Sequence, residues 1–306
     1  MATPTCNTTY HTPVLLKESV DALSIKPNGI YVDVTFGGGG HSREILNRLG
    51  ETGRLVAFDR DSDAQSNKID DHRFILVANN FRFLHSFLRY HNIDKVDGIL
   101  ADLGVSSHQF DEGERGFSFR FDSLADMRMN REGDFSARDL LKSYSQNELQ
   151  RVFKTYGELN NAARLAQAIV TKREGKAIDT TTELIETVAP FLPKKDLNTQ
   201  LAKLFQAIRI EVNKEMLALE QLMLHSLKVL KTGGRFAVIT YHSLEDRLVK
   251  NFMKSGSLDG NITKDFYGNI ETPFIVHTKK AVVPTDEEIA RNSRARSAKL
   301  RVAEKK

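Results

Sequence analysis

The chain has 306 residues with 40% hydrophobic and 27% charged side chains, which admits a sizeable core and excludes a disordered or low-complexity polymer. A single cysteine, Cys6, excludes an internal disulfide and a cysteine-built metal site. The net charge of +4 is small, but Lys279 to Lys306 holds nine Lys or Arg against four Asp or Glu, an excess larger than that of the whole chain. Such a segment is either a solvated tail or a contact for a polyanion. No apolar stretch reaches the length of a membrane span, and the opening MATPTCNTTYHTPVLL has no basic region before a long apolar one. The expected location is the cytoplasm.

In chain order, His11-Thr12-Pro13-Val14-Leu15-Leu16 leads into a short amphipathic helix ending near Leu23, and Pro27-Asn28-Gly29 forms a turn. Ile30 to Val34 is an apolar, β-branched run containing Asp33 and reads as a strand. Gly37 to Gly40 follow as a turn, after which Ile45, Leu46 and Leu49 stand at helical spacing before Gly50. Strand, glycine turn and helix make the first half of a nucleotide-binding βαβ unit. Glycines belong there because a ligand approaches a backbone closely only where no Cβ intervenes. A GxGxxG fingerprint begun at Gly37 would need glycine at position 42, where Ser42 stands. The loop is closer to one that holds S-adenosylmethionine, which has no phosphate to neutralise. Arg54 to Asp59 is a second buried strand, ending in a carboxylate about 20 residues past the glycines and placed for ribose hydroxyls.

Acids at Asp61 and Asp63 mark a helix start, and Arg73 to Val77 is a third strand. Phe81 lies in the loop after it, where it can flank an adenine ring or serve as a plain core residue. Val96 to Asp102 is a fourth strand, again ending in a carboxylate and followed by Gly104, Ser106 and Ser107. Open α/β sheets bind ligands at the carboxyl ends of their strands, so Asp33, Asp59 and Asp102 should converge on one crevice. For Asp102 alone, a turn or helix-cap role is the plainer alternative.

The strand and helix alternation then stops. Asp111 to Arg131 is a polar and aromatic loop without a period. Capping signals at Ser145-Gln146-Asn147-Glu148 and Thr180-Thr181-Thr182-Glu183 begin helices, with another over Asn161 to Lys172. A long helical run from about Asn198 to Leu230, broken once, precedes a central strand over Arg235 to Tyr241. His242, at that strand's carboxyl end, suits a functional role, as a base or a ligand of an RNA phosphate, and a helix cap equally. The fold class is α/β: a doubly wound, Rossmann-like sheet formed by residues 1–110 and 199–306, with a mostly helical insertion over residues 111–198. Neither the insertion nor the basic C-terminal segment is needed to finish a cofactor-binding sheet, which makes both candidates for holding a substrate.

These stretches together resemble the bacterial small-subunit ribosomal RNA (cytosine-N4)-methyltransferases that depend on S-adenosylmethionine. The resemblance rests on His11 to Leu16, Thr35-Phe36-Gly37 with Gly39-Gly40-His41-Ser42, Phe58-Asp59-Arg60-Asp61 and Asp102-Leu103-Gly104-Val105-Ser106-Ser107. It continues through Arg115-Gly116-Phe117-Ser118-Phe119, Asp126-Met127-Arg128-Met129, Phe205-Gln206-Ala207, Arg209-Ile210, Val212-Asn213, His242-Ser243-Leu244-Glu245-Asp246-Arg247 and Arg294-Ala295-Arg296-Ser297. It implies that Gly39, Gly40, His41, Asp59, Phe81, Asp102 and Gln109 contact the cofactor; the position of Asp102 at a strand end beside the glycine turn makes it also the candidate catalytic residue, accepting from the cytosine amine. The implied substrate is a specific cytidine in the decoding region of 16S rRNA, carried either by the assembled small subunit or by free RNA, and the chemistry requires no metal; the helical insertion is then the candidate for recognising that RNA. One departure is Asp122-Ser123-Leu124-Ala125-Asp126, where the family has Asp-Gly-Pro-Leu-Asp. A nicotinamide-dependent dehydrogenase shares the βαβ unit and Asp59, but Ser42 in place of the third glycine argues against it. A non-catalytic nucleotide-binding scaffold needs none of the residues around Asp102.

Overall fold

The computed structural model describes residues 13–106, 110, 112–268 and 270–306. His11, Thr12 and Gln109 therefore lie outside the described residues. By internal contacts the chain divides into two units, one running to Gly104 and resuming over Ala218–Lys306, the other spanning Val105–Leu217.

The first unit opens with helix α1 (Leu16–Ala22) and strand β1 (Ile30–Asp33), followed by α2 (Gly40–Arg48), β2 (Arg54–Asp59), β3 (Phe74–Ala78), α3 (Leu84–Tyr90) and β4 (Val96–Asp102). Where a helix was expected after Asp59 there is a 3-10 turn over Ser62–Asn67, capped by the Asp61 side chain. Only Ala64 of that segment is buried, too little apolar surface to hold a longer helix. The second unit holds α4 (Ala137–Ser143), α5 (Gln146–Gly157), α6 (Ala162–Gly175), α7 (Thr181–Val188) and α8 (Leu197–Asn213). Capping boxes start α5 at Ser145 and α7 at Thr180, as their spacing foretold.

Chain bounds of the helical unit differ from those read in the sequence, which ended the insertion at residue 198. The difference lies in α8: Leu201, Leu204, Phe205, Ala207 and Ile208 are buried in the same core as Phe153, Leu165 and Leu184, not under the sheet. Lys214, with φ of +52°, breaks the long helical run after α8, and α9 (Glu215–Val229) returns to the sheet.

The remaining elements are β5 (Leu230–Thr240), α10 (Ser243–Ser255), β6 (Thr263–Lys264), β7 (Ile270–Glu271), β8 (Phe274–Val276), α11 (Asp286–Arg291) and β9 (Lys299–Lys305). The main sheet has seven strands in the order β3-β2-β1-β4-β5-β9-β8. Strands β3 through β5 of that order are parallel, whereas β9 is antiparallel to both β5 and β8. This corrects the reading of the basic C-terminal segment, because β9 is an interior strand whose Leu300, Val302 and Ala303 are buried. The alternation of small apolar residues with lysine and arginine conceals the strand in a charge count.

Strand order reverses at β1, whose neighbours are β2 on one side and β4 on the other. A reversal of this kind opens a crevice at the carboxyl edge of the sheet, because the connecting helices depart to opposite faces.

Candidate functional site at the carboxyl edge of the sheet

The register brings the expected acids to this edge, since Asp33 pairs with Ala57, Asp59 with Ala78 and Asp102 with Ile239. Their environments differ. Asp33 is fully buried and accepts hydrogen bonds from the Ser42 hydroxyl at 2.7 Å and the Thr35 amide at 3.1 Å. Burial pushes its carboxyl up. It ties β1 to α2, so its part is to hold the glycine turn.

Asp59 accepts from the amides of Gly37 at 2.7 Å and Asp61 at 2.8 Å, one on each carboxylate oxygen. Burial pushes its carboxyl up to about 6, against the pull of those two amides. Each oxygen keeps a second lone pair, so a ribose hydroxyl can still be bound. Between these acids the turn runs with φ of +50° at Gly37 and +76° at Gly39, the left-handed region that glycine tolerates. Gly40 begins α2, and a Cβ there would stand 2.2 Å from Cγ of Pro13. His41 and Ser42, in the first turn of α2, are buried.

Asp102 ends β4. Its amide donates to Oγ1 of Thr35 at 2.7 Å, and its Oδ1 accepts from the Tyr241 hydroxyl at 2.7 Å. Nδ1 of His41 lies 3.8 Å from Oδ2, but burial lowers the imidazole's proton affinity, so at neutral pH this is not an ion pair. Burial pushes the Asp102 carboxyl up to about 6. Its side chain nonetheless remains 21% exposed, which leaves it open to a reaction partner.

Phe81 starts a 3-10 turn after β3, at the same edge as Asp59, and is half-buried. His242 is the N-cap of α10, its ring accepting the Glu245 amide at 3.4 Å while Glu245 reaches back, a complete capping box. Of the three roles open to His242, the structure realises the cap. Sequence reading missed two residues here, Thr35 and Tyr241. A hydroxyl two residues past the strand acid and a tyrosine at the next strand's end were the available signals, and each looked like ordinary strand chemistry.

The edge can accommodate S-adenosylmethionine chemically. A Cβ at Gly37 would meet nothing within 4 Å, so the backbone there is approachable, and Nε2 of His41 is buried without a hydrogen-bond partner. Two carboxylates are available for a ribose and for a group close to the reacting centre.

The chain is 57% identical over 299 residues to a Bacteroides fragilis protein named ribosomal RNA small subunit methyltransferase H, covering 98% of each chain. It is 58% identical over 296 residues to the protein of that name from Flavobacterium johnsoniae, covering 97% of this chain and 98% of the other. The crystal structure of an rRNA methylase from Streptococcus thermophilus aligns with 97% of this chain and 99% of its own at 13% identity and a TM-score of 0.41. The description of the MraW methylase family matches residues 8–306, and with these identities across nearly the whole length the chain belongs to that family.

Proposed function

We propose that the protein transfers a methyl group from S-adenosylmethionine to the N4 amine of a specific cytosine in small-subunit ribosomal RNA. Bound at the carboxyl edge, S-adenosylmethionine supplies a methyl group carried on positive sulfur. Gly39, Gly40 and His41 of the glycine turn are assigned to its methionine part, Asp59 to its ribose and Phe81 to its adenine. Gln109 keeps the role given by the family resemblance.

The observation that carries the reading is the state of Asp102. It is a carboxylate without a Lys or Arg partner among the described residues, partly open, at the crevice where the strand order reverses. Cytosine N4 is a poor nucleophile because its lone pair is delocalised into the ring. A carboxylate accepting from the amine favours localisation of that pair as the C–N bond loses double-bond character. The same carboxylate can take the amine's proton above a pH of about 6, where it is ionised. The helical unit and the basic segment around Arg294 and Arg296 are assigned to holding RNA, since both of those arginines are exposed on a 3-10 turn.

The test is Asp102→Asn, which keeps the shape and removes the charge. Single-turnover methyl transfer to unmodified small subunits should fall by about a hundredfold to a thousandfold at saturating cofactor. Cofactor affinity by calorimetry should fall by less than about tenfold. Wild-type turnover of saturated complexes would make Asp102 a cofactor ligand only.

A further inference from the structure

We propose that Tyr241 is a positioning residue for the transfer, its hydroxyl engaging Oδ1 of Asp102 so that Oδ2 is presented to the reacting amine. This inference rests on the assignment of Asp102 made above.

The phenol lies 2.7 Å from Oδ1, a good O–H to carboxylate hydrogen bond. Its ring rests against the turn after β4, where a Cβ at Gly104 would stand 3.5 Å from Cδ2 and φ is +99°. The tyrosine is itself clamped. Its amide donates to Oε2 of Glu245 at 2.9 Å, and Glu245 is only 3% exposed. Glu245 is the third residue of α10, and the next residue, Asp246, accepts from Arg301 of β9 at 2.6 and 3.1 Å. Hydrogen bonds at adjacent residues of the helix start, Glu245 to the tyrosine and Asp246 to the neighbouring strand, thus anchor the tyrosine whose hydroxyl meets the carboxylate. From the opposite side, Thr35 fixes the Asp102 amide. A carboxylate held at both main chain and side chain needs no reorientation when the amine arrives, which is the condition for preorganised electrostatic help.

A buried tyrosine needs some acceptor, and satisfying its hydroxyl is the simpler role for this contact. The two roles differ in what they predict for Asp102. The charged and titratable groups around it are Asp33 on β1, His41 on α2, Glu245 on α10 and Tyr241. The two other carboxylates raise its proton affinity, whereas the hydrogen bond from the phenol lowers it. Losing the phenol's donor should raise it further and leave the carboxylate free to rotate.

The experiment compares Tyr241→Phe, Asp102→Asn and the double variant in the full chain. In cofactor-free protein, carbon-13 NMR titration of the Asp102 carboxyl should move to higher pH in Tyr241→Phe. The single-turnover rate at saturating cofactor should fall by roughly tenfold to a hundredfold. The defect should be larger at pH 6.5 than at pH 8.5, with cofactor affinity changed by less than about threefold. In the Asp102→Asn background the second substitution should add nothing. An unmoved titration with a wild-type rate, beside a crippled Asp102→Asn, overturns the role of Tyr241 and leaves that of Asp102 standing. A wild-type rate in Asp102→Asn overturns both.

Discussion

Asp97 and Asp102 lie on the same strand and show how position decides the work of a carboxylate. Asp97, at the start of β4, accepts from the Lys231 ammonium at 2.7 Å and the Ile30 amide at 3.0 Å, with Lys26 at 3.7 Å. Burial pushes its carboxyl up, but these donors outweigh burial and leave it below its ordinary value. Asp102, at the other end, has a phenol and a neutral imidazole where Asp97 has cations, and burial prevails. Keeping such a group ionised costs stability. With the folded carboxyl near 6 and the unfolded one near its ordinary value of 3.8, the folded state binds more protons between those pH values. Stability therefore falls as pH rises through that window and stays lower above it. Asp102→Asn should be more stable than the parent by up to about 3 kcal/mol above pH 7 and by under about 1 kcal/mol near pH 4. Urea unfolding at the two pH values measures this. A gain independent of pH would mean that the charge at Asp102 is not what destabilises the fold. The same substitution that removes activity is expected to strengthen the protein, a frequent relation at reacting groups.

At the scale of elements, the glycine turn with β1 and α2 was the most legible part of the chain. Its apolar run, its turn residues and its helical spacing all pointed the same way, and local signals are reliable when they agree. Ser42 was read as a broken fingerprint, and its hydrogen bond to Asp33 gives the reason: the hydroxyl joins helix to strand where a third glycine would have let them approach. What could not be read depended on distant partners. Tyr241 meets Asp102 across 139 positions, and Arg301 meets Asp246 across 55, so no local window contains either pair. The strand β9 was hidden for the same reason, because its lysines and arginine look like a solvated segment until β5 and β8 enclose the residues between, Leu300 to Ala303. The turn also offers a sharp contrast between two glycines. Gly40→Ala would drive a methyl group into the Pro13 ring and should destabilise by about 1–3 kcal/mol while weakening cofactor binding. Gly37→Ala meets no atom, and only its positive φ opposes it, at about 1 kcal/mol. Equal losses from the two changes in urea unfolding would mean that Pro13 yields.

For the molecule as a whole, the division into units separates the charge as well as the fold. Residues 105–217 contain 17 Lys and Arg and 17 Asp and Glu, so the entire net charge of +4 belongs to the unit that carries the sheet. Within it the strand β9 uses part of the C-terminal basic run structurally: Arg301 is 9% exposed and paired with Asp246. The turn over Ser293–Ser297 is different. Ala295 is its buried anchor, while Arg294 and Arg296 point outward on either side. Long-range attraction of a phosphate chain should therefore come from this segment, with the neutral helical unit adding shape and short-range contacts. A protein that neutralises phosphates releases counterions, and each contact adds about 0.7 to the salt slope on single-stranded RNA. Replacing Arg294 and Arg296 together by Ala should lower the slope of log affinity against log salt by up to about 1.4 and leave cofactor affinity unchanged. Binding to a small-subunit RNA fragment, measured across a series of salt concentrations, checks this. An unaltered slope would place the phosphate contacts on other cations and make these two arginines part of the fold's surface only.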